Sequence, residues 1–154
     1  MSQHILTMRP AIEADIPGIL RMLADDELGK AREVVSDPVD PAYLAAFRAI
    51  AEDANQHLVV AEVDGRVVGT LQLSYLPGMS HRGSWRAQIE AVRVDSATRG
   101  IGLGKRMILW AVDEAKARGC RMVQLTSNAS RRDAHRFYEG LGFEASHVGF
   151  KKVL

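Results

Sequence analysis

The pattern of apolar positions predicts several short strands. Apolar stretches at 5–8, 58–63, 67–73, 85–94 and 120–126 are separated by polar or turn-forming residues, and a final extended segment begins at 143. Asp64-Gly65, between the second and third stretches, is a strong signal for a two-residue hairpin turn. The sequence therefore predicts a sheet that contains at least one hairpin.

The first helix is predicted from its start signals. Asp15 is a candidate N-cap and Pro17 suits the first turn of a helix that runs through Leu23. Gly29 is expected to end or interrupt this helix, and residues 30–41 are expected to form a loop.

Three further helices follow from spacing. Apolar residues recur every three positions from Leu44 to Ile50 and share one helical face. A helix of about twenty residues is predicted from Gly100 to Gly119, with Gly119 at its C′ position, and another at 131–139. Consecutive strands followed by alternating strands and helices predict one α/β domain, with helices on both faces of a mixed sheet.

Within the stretch 85–94 the parity of the apolar side chains changes. From Ala87 to Ala91 the apolar residues occupy odd positions, whereas Val92 and Val94 occupy even ones. Because strand side chains alternate strictly, this change requires an extra residue, which predicts a β-bulge near Ala91. A strand end that is buried on both faces is the alternative.

Composition and charge exclude several classes of protein. Twenty Lys and Arg against nineteen Asp and Glu leave a formal charge of +1, which argues against a broad basic surface for nucleic acid or membranes. The longest apolar run is far shorter than a membrane helix, and the N-terminus lacks a signal-peptide pattern, so we expect a soluble, cytoplasmic protein. The single Cys120 excludes an intrachain disulfide, and no zinc-ligand spacing is present, so no metal is expected.

A glycine-rich turn, Arg99-Gly100-Ile101-Gly102-Leu103-Gly104-Lys105, lies between a predicted strand and the long helix. Glycines allow successive backbone N–H groups to converge on an anion, and a helix N-terminus adds free donors and its dipole. The spacing matches neither the dinucleotide fingerprint nor the P-loop. We interpret the segment as a phosphate-binding turn, with a flexible loop before a helix as the alternative.

These residues carry a resemblance to a known family. Arg99-x-x-Gly102-x-Gly104, after a strand that ends Val92-Arg93-Val94, resembles the acetyl-CoA signature of the GNAT superfamily of N-acyltransferases, Gln/Arg-x-x-Gly-x-Gly/Ala. The segment AHRFYEGLGF that ends at Phe143 is similar to the family's A-x-x-F-Y-x-x-x-G-F. The resemblance implies a single α/β domain over residues 1–154. Its sheet is expected to be mixed, mostly antiparallel and twisted, with six to seven strands, about four helices and a bulged central strand.

The resemblance implies acetyl-CoA as the cosubstrate. In the family the pyrophosphate rests on the amides of the glycine-rich turn, and the pantetheine arm runs beside the bulged strand. The cofactor-binding residues implied here are Val92, Val94, Arg99, Gly100, Gly102, Gly104 and Lys105. Asn128 is a further candidate for the pantetheine or a phosphate, and a turn or helix cap is its alternative role.

Acetyl transfer to an amine requires a base, an oxyanion donor and an acid. The resemblance implies that Tyr138 is the general acid, because a phenol with a pKa of about 10 stays protonated at neutral pH; packing beside Phe137 is the alternative. The Val92 N–H is the implied oxyanion donor. Glu90 is a candidate base, a cross-strand ion pair being its alternative role, and His147 is a second candidate.

The sequence specifies the acceptor less closely than the cosubstrate. The segment 25–27 (Asp-Asp-Glu), between the first helix and the predicted loop, could attract a cationic amine, with a solvated turn as the alternative. The short, compact chain favours a small-molecule amine as acceptor. The other hypotheses are a protein lysine or N-terminal acetyltransferase, a non-catalytic coenzyme A sensor and a nucleotide-phosphate binder. A homodimer, with Trp110 at the contact, is left open.

Overall fold

One five-stranded sheet organises the computed structural model, which describes residues 5–154. The strands are β1 Leu6–Pro10, β2 Gln56–Val63, β3 Arg66–Pro77, β4 Trp85–Val94 and β5 Met122–Leu125. The helices are α1 Ile16–Leu23, α2 Glu27–Arg32, α3 Pro41–Glu52, α4 Ser80–Gly83, α5 Leu103–Ala117 and α6 Arg132–Gly140, with 3₁₀ turns at Glu13–Asp15 and Ser96–Thr98. The predicted α/β class is confirmed.

The strands lie in the order in which they occur in the chain, and the sheet is mixed. β1, β2, β3 and β4 pair antiparallel in sequence. β5 follows a helical crossover and runs parallel to β4. Arg121 N–H donates to Trp85 O (2.9 Å) and Gln124 Nε2 donates to Gln88 Oε1 (3.0 Å), so the residue numbers of the bonded pairs increase together along the two strands. The predicted hairpin is also confirmed, with positive φ at both turn residues (51° and 75°).

The expected number of six to seven strands is wrong, since the described chain has five. The segment from Phe143 onward was expected to be extended, but 143–154 contains no strand. A strand exists only where a neighbouring strand accepts and donates backbone hydrogen bonds. The backbone bonds here are local instead, such as Ser146 N–H to Glu144 O (2.9 Å), and Val148 and Phe150 are exposed.

The start of α1 also differs from expectation. Asp15 occupies the N-cap position, but its side chain forms no cap hydrogen bond to the helix. Its carboxylate instead accepts from both terminal nitrogens of Arg9 (2.7 and 3.0 Å) and from Ile12 N–H (2.8 Å). The Arg9 hydrogen bonds lower the pKa of Asp15, although burial acts in the opposite direction. The carboxylate thus fixes the connection between β1 and α1 rather than the helix end.

About four helices were expected, and the described chain contains six. The principal omission is α2, which overlaps the predicted loop at 30–41 and contains Gly29 in its interior. Asp26 caps this helix by accepting from Gly29 N–H (2.5 Å). An added Cβ at Gly29 would lie 1.9 Å from Leu23 O, so glycine is required here by the close approach of α1 and not as a helix terminator.

This contact makes Gly29→Ala a test of the fold. In most helix interiors this change stabilises a protein by up to about 1 kcal/mol. Here the clash with the Leu23 carbonyl reverses the sign, and we expect unfolding free energy to fall by about 2 kcal/mol. Urea denaturation measures this change.

Gly18→Ala in α1 is the matched control, because its added Cβ meets only Arg21 Nη2 at 3.7 Å, an ordinary contact. We expect this variant to be as stable as the parent or slightly more so. A Gly29→Ala protein with undiminished stability would contradict the assigned close approach.

Helices cover both faces of the sheet, and cross-strand pairs define these faces. α5 lies against the face that carries Gly69, where an added Cβ would meet Met107 Sδ at 2.7 Å. Leu71 and Leu73, on the same face by alternation, are fully buried. The opposite face carries Thr70 and Gln72 and is covered by helices from the N-terminal part of the chain.

The chain forms two compact units, the first ending at Gln124 and the second extending from Leu125 to Leu154. The core described above belongs to the first unit. The predicted glycine-rich turn also lies there, whereas Asn128 and Tyr138 lie in the second.

Candidate active site

A β-bulge interrupts β4, as the parity change predicted. Thr70 pairs with Arg93 and Gln72 pairs with Glu90, so two residues of β4 oppose the single Leu71 of β3. Ala91, inside the bulge, has a φ of 53°, which is uncommon for a residue other than glycine. The bulge prediction is confirmed.

The bulge changes which side chains share a face. Thr70 and Gln72 are two residues apart and lie on one face of β3. Their partners Arg93 and Glu90 therefore share that face, although they are three residues apart in β4. In an uninterrupted strand these two side chains would lie on opposite faces. The extra residue thus brings a base candidate and a buried cation to the same side of the sheet.

Glu90 is hydrogen-bonded to Gln88 of its own strand, which is in turn hydrogen-bonded to Gln124 of β5. Its Oε1 accepts from Gln88 Nε2 (2.7 Å), and Gln88 Oε1 accepts from Gln124 Nε2 (3.0 Å). The glutamate itself is exposed, so an incoming group can reach it. Sequence reasoning missed both glutamines, because nothing in the local pattern relates Gln124 to a residue more than thirty positions earlier.

The glycine-rich turn opens α5 with two residues in the left-handed region. Gly100 has a φ of 89°, and Gly102 has a φ of 77° and occupies the N-cap position. An added Cβ at either glycine would find no atom within 4 Å, so open space adjoins the backbone. The first helical hydrogen bond shown for α5 runs from Arg106 N–H to Gly102 O (3.2 Å), which leaves the N–H groups of 103–105 without an intrahelical acceptor.

Two arginines of the candidate site are paired with the segment between α1 and α2. Arg99 Nη2 lies 3.6 Å from Asp25 Oδ2, and Arg93 Nη2 lies 3.5 Å from Asp26 Oδ2. The Arg99–Asp25 pair is about half exposed, whereas the Arg93 side chain is only 12% exposed. These ion pairs neutralise much of the negative charge of segment 25–27, which was considered from the sequence as a means of attracting a cationic amine.

The remaining candidates of the first unit lie close to this turn in the chain. Val92 and Val94 are half-buried residues of β4, on either side of Arg93. Gly104 and Lys105 belong to the first turn of α5, and the lysine is exposed. The candidates from Glu90 to Lys105 are contiguous in the sequence and extend from β4 to the first turn of α5.

A cavity of about 150 Å³ lies over the face of the sheet that carries Gln72. Its walls come from α1, α3, β2, β3 and the bulge of β4. The lining consists of Ile16, Ile19, Leu20, Leu23, Tyr43, Ala46, Phe47, Ile50, Leu58, Thr70, Gln72 and Ala91. Apolar side chains dominate this list, and Ala91 connects the cavity to the bulge. Phe47 and Ile50, from the predicted apolar face of α3, line the cavity, but the cavity itself was not predicted from the sequence.

In the second unit, Asn128 is built into the turn that precedes α6. Its Oδ1 accepts from Ser130 N–H (3.0 Å) and Ser130 Oγ (2.7 Å). Its backbone O lies 2.9 Å from His135 Nε2. The turn role considered for Asn128 is thus observed, and it uses the side-chain oxygen rather than the amide nitrogen.

Tyr138 lies on α6 and is half-buried. Its ring makes edge-to-face contacts with Phe137 (centroids 5.2 Å apart) and Phe143 (5.9 Å). The packing role considered for Tyr138 is therefore observed for its ring.

Two other residues considered from the sequence are His147 and Cys120. His147 is exposed, and its Nδ1 lies 2.7 Å from Ser146 Oγ. Cys120 is half-buried just before β5, and burial raises the pKa of its thiol, which keeps it protonated at neutral pH.

Among residues 5–154, no group of His, Cys, Asp and Glu side chains is arranged to hold a metal ion. None of the helices described here has both the length and the apolar character needed to cross a membrane.

Comparisons with known proteins point to one family. The family model described as "Acetyltransferase (GNAT) family" matches residues 20–143. The chain is 34% identical over 123 residues to the aminoalkylphosphonate N-acetyltransferase of Salmonella typhimurium, covering 79% of each chain. It is 31% identical over 133 residues to the glucosamine 6-phosphate N-acetyltransferase of Trypanosoma brucei brucei, covering 82% of this chain and 88% of the relative.

A solved structure is similar over almost the whole chain. It is described as a transcriptional regulator from Bacillus halodurans C-125, with a TM-score of 0.94 and 46% identity, covering 97% of this chain and 100% of that one. The family match spans the bulged strand, the glycine-rich turn and the segment around Tyr138. The chain belongs to the GNAT family of acetyltransferases and is an acyltransferase.

Proposed function

We propose that this acyltransferase moves the acetyl group of acetyl-CoA directly to the primary amine of a small molecule, in a ternary complex. The observation that carries the proposal is the continuous stretch from Glu90 to Lys105, in which a β-bulge is followed by a glycine-rich turn at a helix N-terminus. The small-molecule acceptor is supported by the names of two relatives, which act on an aminoalkylphosphonate and an amino sugar phosphate. A protein lysine or N-terminus is the alternative acceptor.

The turn suits the pyrophosphate of coenzyme A. The open space beside Gly100 and Gly102 is where a Cβ would otherwise project, so phosphate oxygens can approach the backbone N–H groups there. Arg99 and Lys105 add positive charge, and the first-turn N–H groups, including that of Gly104, add donors. In this proposal the main-chain groups of Val92 and Val94 bind the pantetheine arm.

The acid–base roles are assigned to residues of this chain. Acetyl-CoA supplies an activated acetyl group as a thioester. Glu90, oriented by Gln88, accepts the proton that the acceptor ammonium must lose before it can attack. The Val92 N–H stabilises the negative charge on the carbonyl oxygen. Tyr138 donates a proton to the departing sulfur, and Asn128 contributes its amide nitrogen to cofactor binding.

A thermal-shift titration tests cofactor binding first. Acetyl-CoA at one hundred times its Kd adds about 2.7 kcal/mol to the free energy of unfolding, which raises the melting temperature measurably. We expect this increase with acetyl-CoA and none with ATP or NAD at equal concentration. Equal stabilisation by ATP, or none by acetyl-CoA, would contradict the proposal.

A further inference from the structure

The apolar cavity beside the bulge indicates the kind of amine that this site accepts. It adjoins the reacting region, because Ala91 of the bulge belongs to its lining. Gln72, also in the lining, is the cross-strand partner of Glu90, so Glu90 projects from the same face of the sheet. A group bound in the cavity would therefore lie on the same face of the sheet as the proposed general base, next to its cross-strand partner Gln72.

The polar side chains of the lining are already engaged by the protein. Thr70 Oγ1 donates to Val59 O (2.9 Å), and Gln72 Nε2 donates to a glutamine oxygen of β2 (3.2 Å). Tyr43 Oη donates to Glu33 Oε2 (2.8 Å) and accepts from a backbone N–H. The Val34 N–H acts to lower the pKa of Tyr43, but burial and the Glu33 hydrogen bond raise it, so the phenol remains a donor to Glu33.

The lining contains neither lysine nor arginine. A phosphate or phosphonate placed against this lining would lose part of its hydration without gaining a cation from the lining, which is unfavourable. Arg93 projects from the same face but is engaged by Asp26 Oδ2 (3.5 Å) and Val92 O (2.9 Å). Nothing in the cavity itself matches the anionic groups named for the two relatives.

Size and polarity together define the group that fits. An apolar cavity of about 150 Å³ accommodates a benzene-sized molecule, and the cavity here has that volume. We infer that the acceptor is a primary amine joined by a short chain to an uncharged apolar group of about this size, which the cavity binds. This inference rests on the proposed function and specifies its acceptor.

A panel of amines with acetyl-CoA present in excess tests the inference. We expect kcat/KM for 2-phenylethylamine to exceed those for 2-aminoethylphosphonate and glucosamine 6-phosphate at least tenfold. We also expect it to exceed that for ethylamine, which has the same amine without the ring. Preference for an anionic amine, or equal use of 2-phenylethylamine and ethylamine, would overturn the inference.

Filling the cavity provides a second test. Ala46→Phe adds a ring to the lining of the cavity, and we expect it to raise KM for 2-phenylethylamine at least tenfold and by a larger factor than it raises KM for ethylamine. Ala45→Phe is the matched control, because Ala45 is exposed on the same helix, as Ala46 is, but lies outside the lining, and it should leave KM for both substrates unaffected. Ala46→Leu, a smaller change, replaces Ala46→Phe if the latter does not fold. Equal effects of the variants at 46 and 45 would contradict the assigned binding site.

The outcomes separate the two levels of the proposal. If acetyl-CoA stabilises the protein and anionic amines are acetylated best, the acceptor class is wrong but the acetyltransferase assignment stands. If acetyl-CoA gives no stabilisation and no amine is acetylated, the proposed function fails and the acceptor inference fails with it.

Discussion

Gly102→Val is expected to abolish stabilisation by acetyl-CoA. Valine at this position projects a branched side chain into the open space beside the turn, where the pyrophosphate is proposed to lie. It also places a β-branched residue at a φ of 77°, which costs about 1–2 kcal/mol of folding free energy. At a concentration one hundred times the parent Kd, a hundredfold loss of affinity would reduce the stabilisation from about 2.7 to about 0.4 kcal/mol.

Gly65→Val separates this loss of binding from backbone strain. Gly65 has a φ of 75° and, like Gly102, no atom within 4 Å of an added Cβ, but it lies in the β2–β3 hairpin turn. We expect the two variants to lose similar stability without ligand, while only Gly65→Val retains the full acetyl-CoA shift. If Gly102→Val is stabilised by acetyl-CoA as much as Gly65→Val, the pyrophosphate does not bind at this turn.

Tyr138→Phe is expected to lower kcat by about 10²–10⁴-fold, the usual contribution of a general acid. Phenylalanine preserves the ring that contacts Phe137 and Phe143, so α6 should keep its packing. The acetyl-CoA shift should change little, because the proposed role of the hydroxyl is proton donation rather than binding. Steady-state kinetics and the thermal-shift titration on the same preparation measure the two effects.

Tyr75→Phe is the matched control for loss of a phenolic hydroxyl. Tyr75 is a buried residue of β3 whose ring faces the Arg118 guanidinium at 4.4 Å, and no catalytic role is proposed for it. We expect it to retain kcat. Unchanged kcat in Tyr138→Phe would remove Tyr138 from the mechanism, and equal losses of affinity in Tyr138→Phe and Gly102→Val would contradict the division of roles between them.

Elements whose signals are local were predicted well. The hairpin at Asp64-Gly65 requires two residues with positive φ, and few residue pairs adopt this conformation readily. The bulge near Ala91 follows from the strict alternation of side chains along one strand. Gly119, with a φ of 83°, ends α5 where a left-handed residue is needed. In each case the physical cause lies within a few residues of the feature.

Elements that depend on distant partners were missed. Gly29 was expected to break a helix, but its environment is set by the Leu23 carbonyl of a neighbouring helix. The segment from 143 has the residues of a strand, yet a strand requires a partner backbone that its own sequence does not specify. Asp15 was expected to cap α1, but Arg9 offers its carboxylate a charged, two-point contact instead.

The candidate site also contains features with local causes and features that depend on distant partners. The GNAT motifs, the glycine-rich turn and the bulge are properties of contiguous residues, because backbone conformation and side-chain alternation depend on near neighbours, and they were sufficient to identify the family. The Gln124–Gln88–Glu90 hydrogen bonds and the cavity over Gln72 arise only when separate strands and helices pack together. Packing distances and charge pairing depend on the folded chain as a whole, so the proposed acceptor chemistry rests on the tertiary structure and not on the sequence.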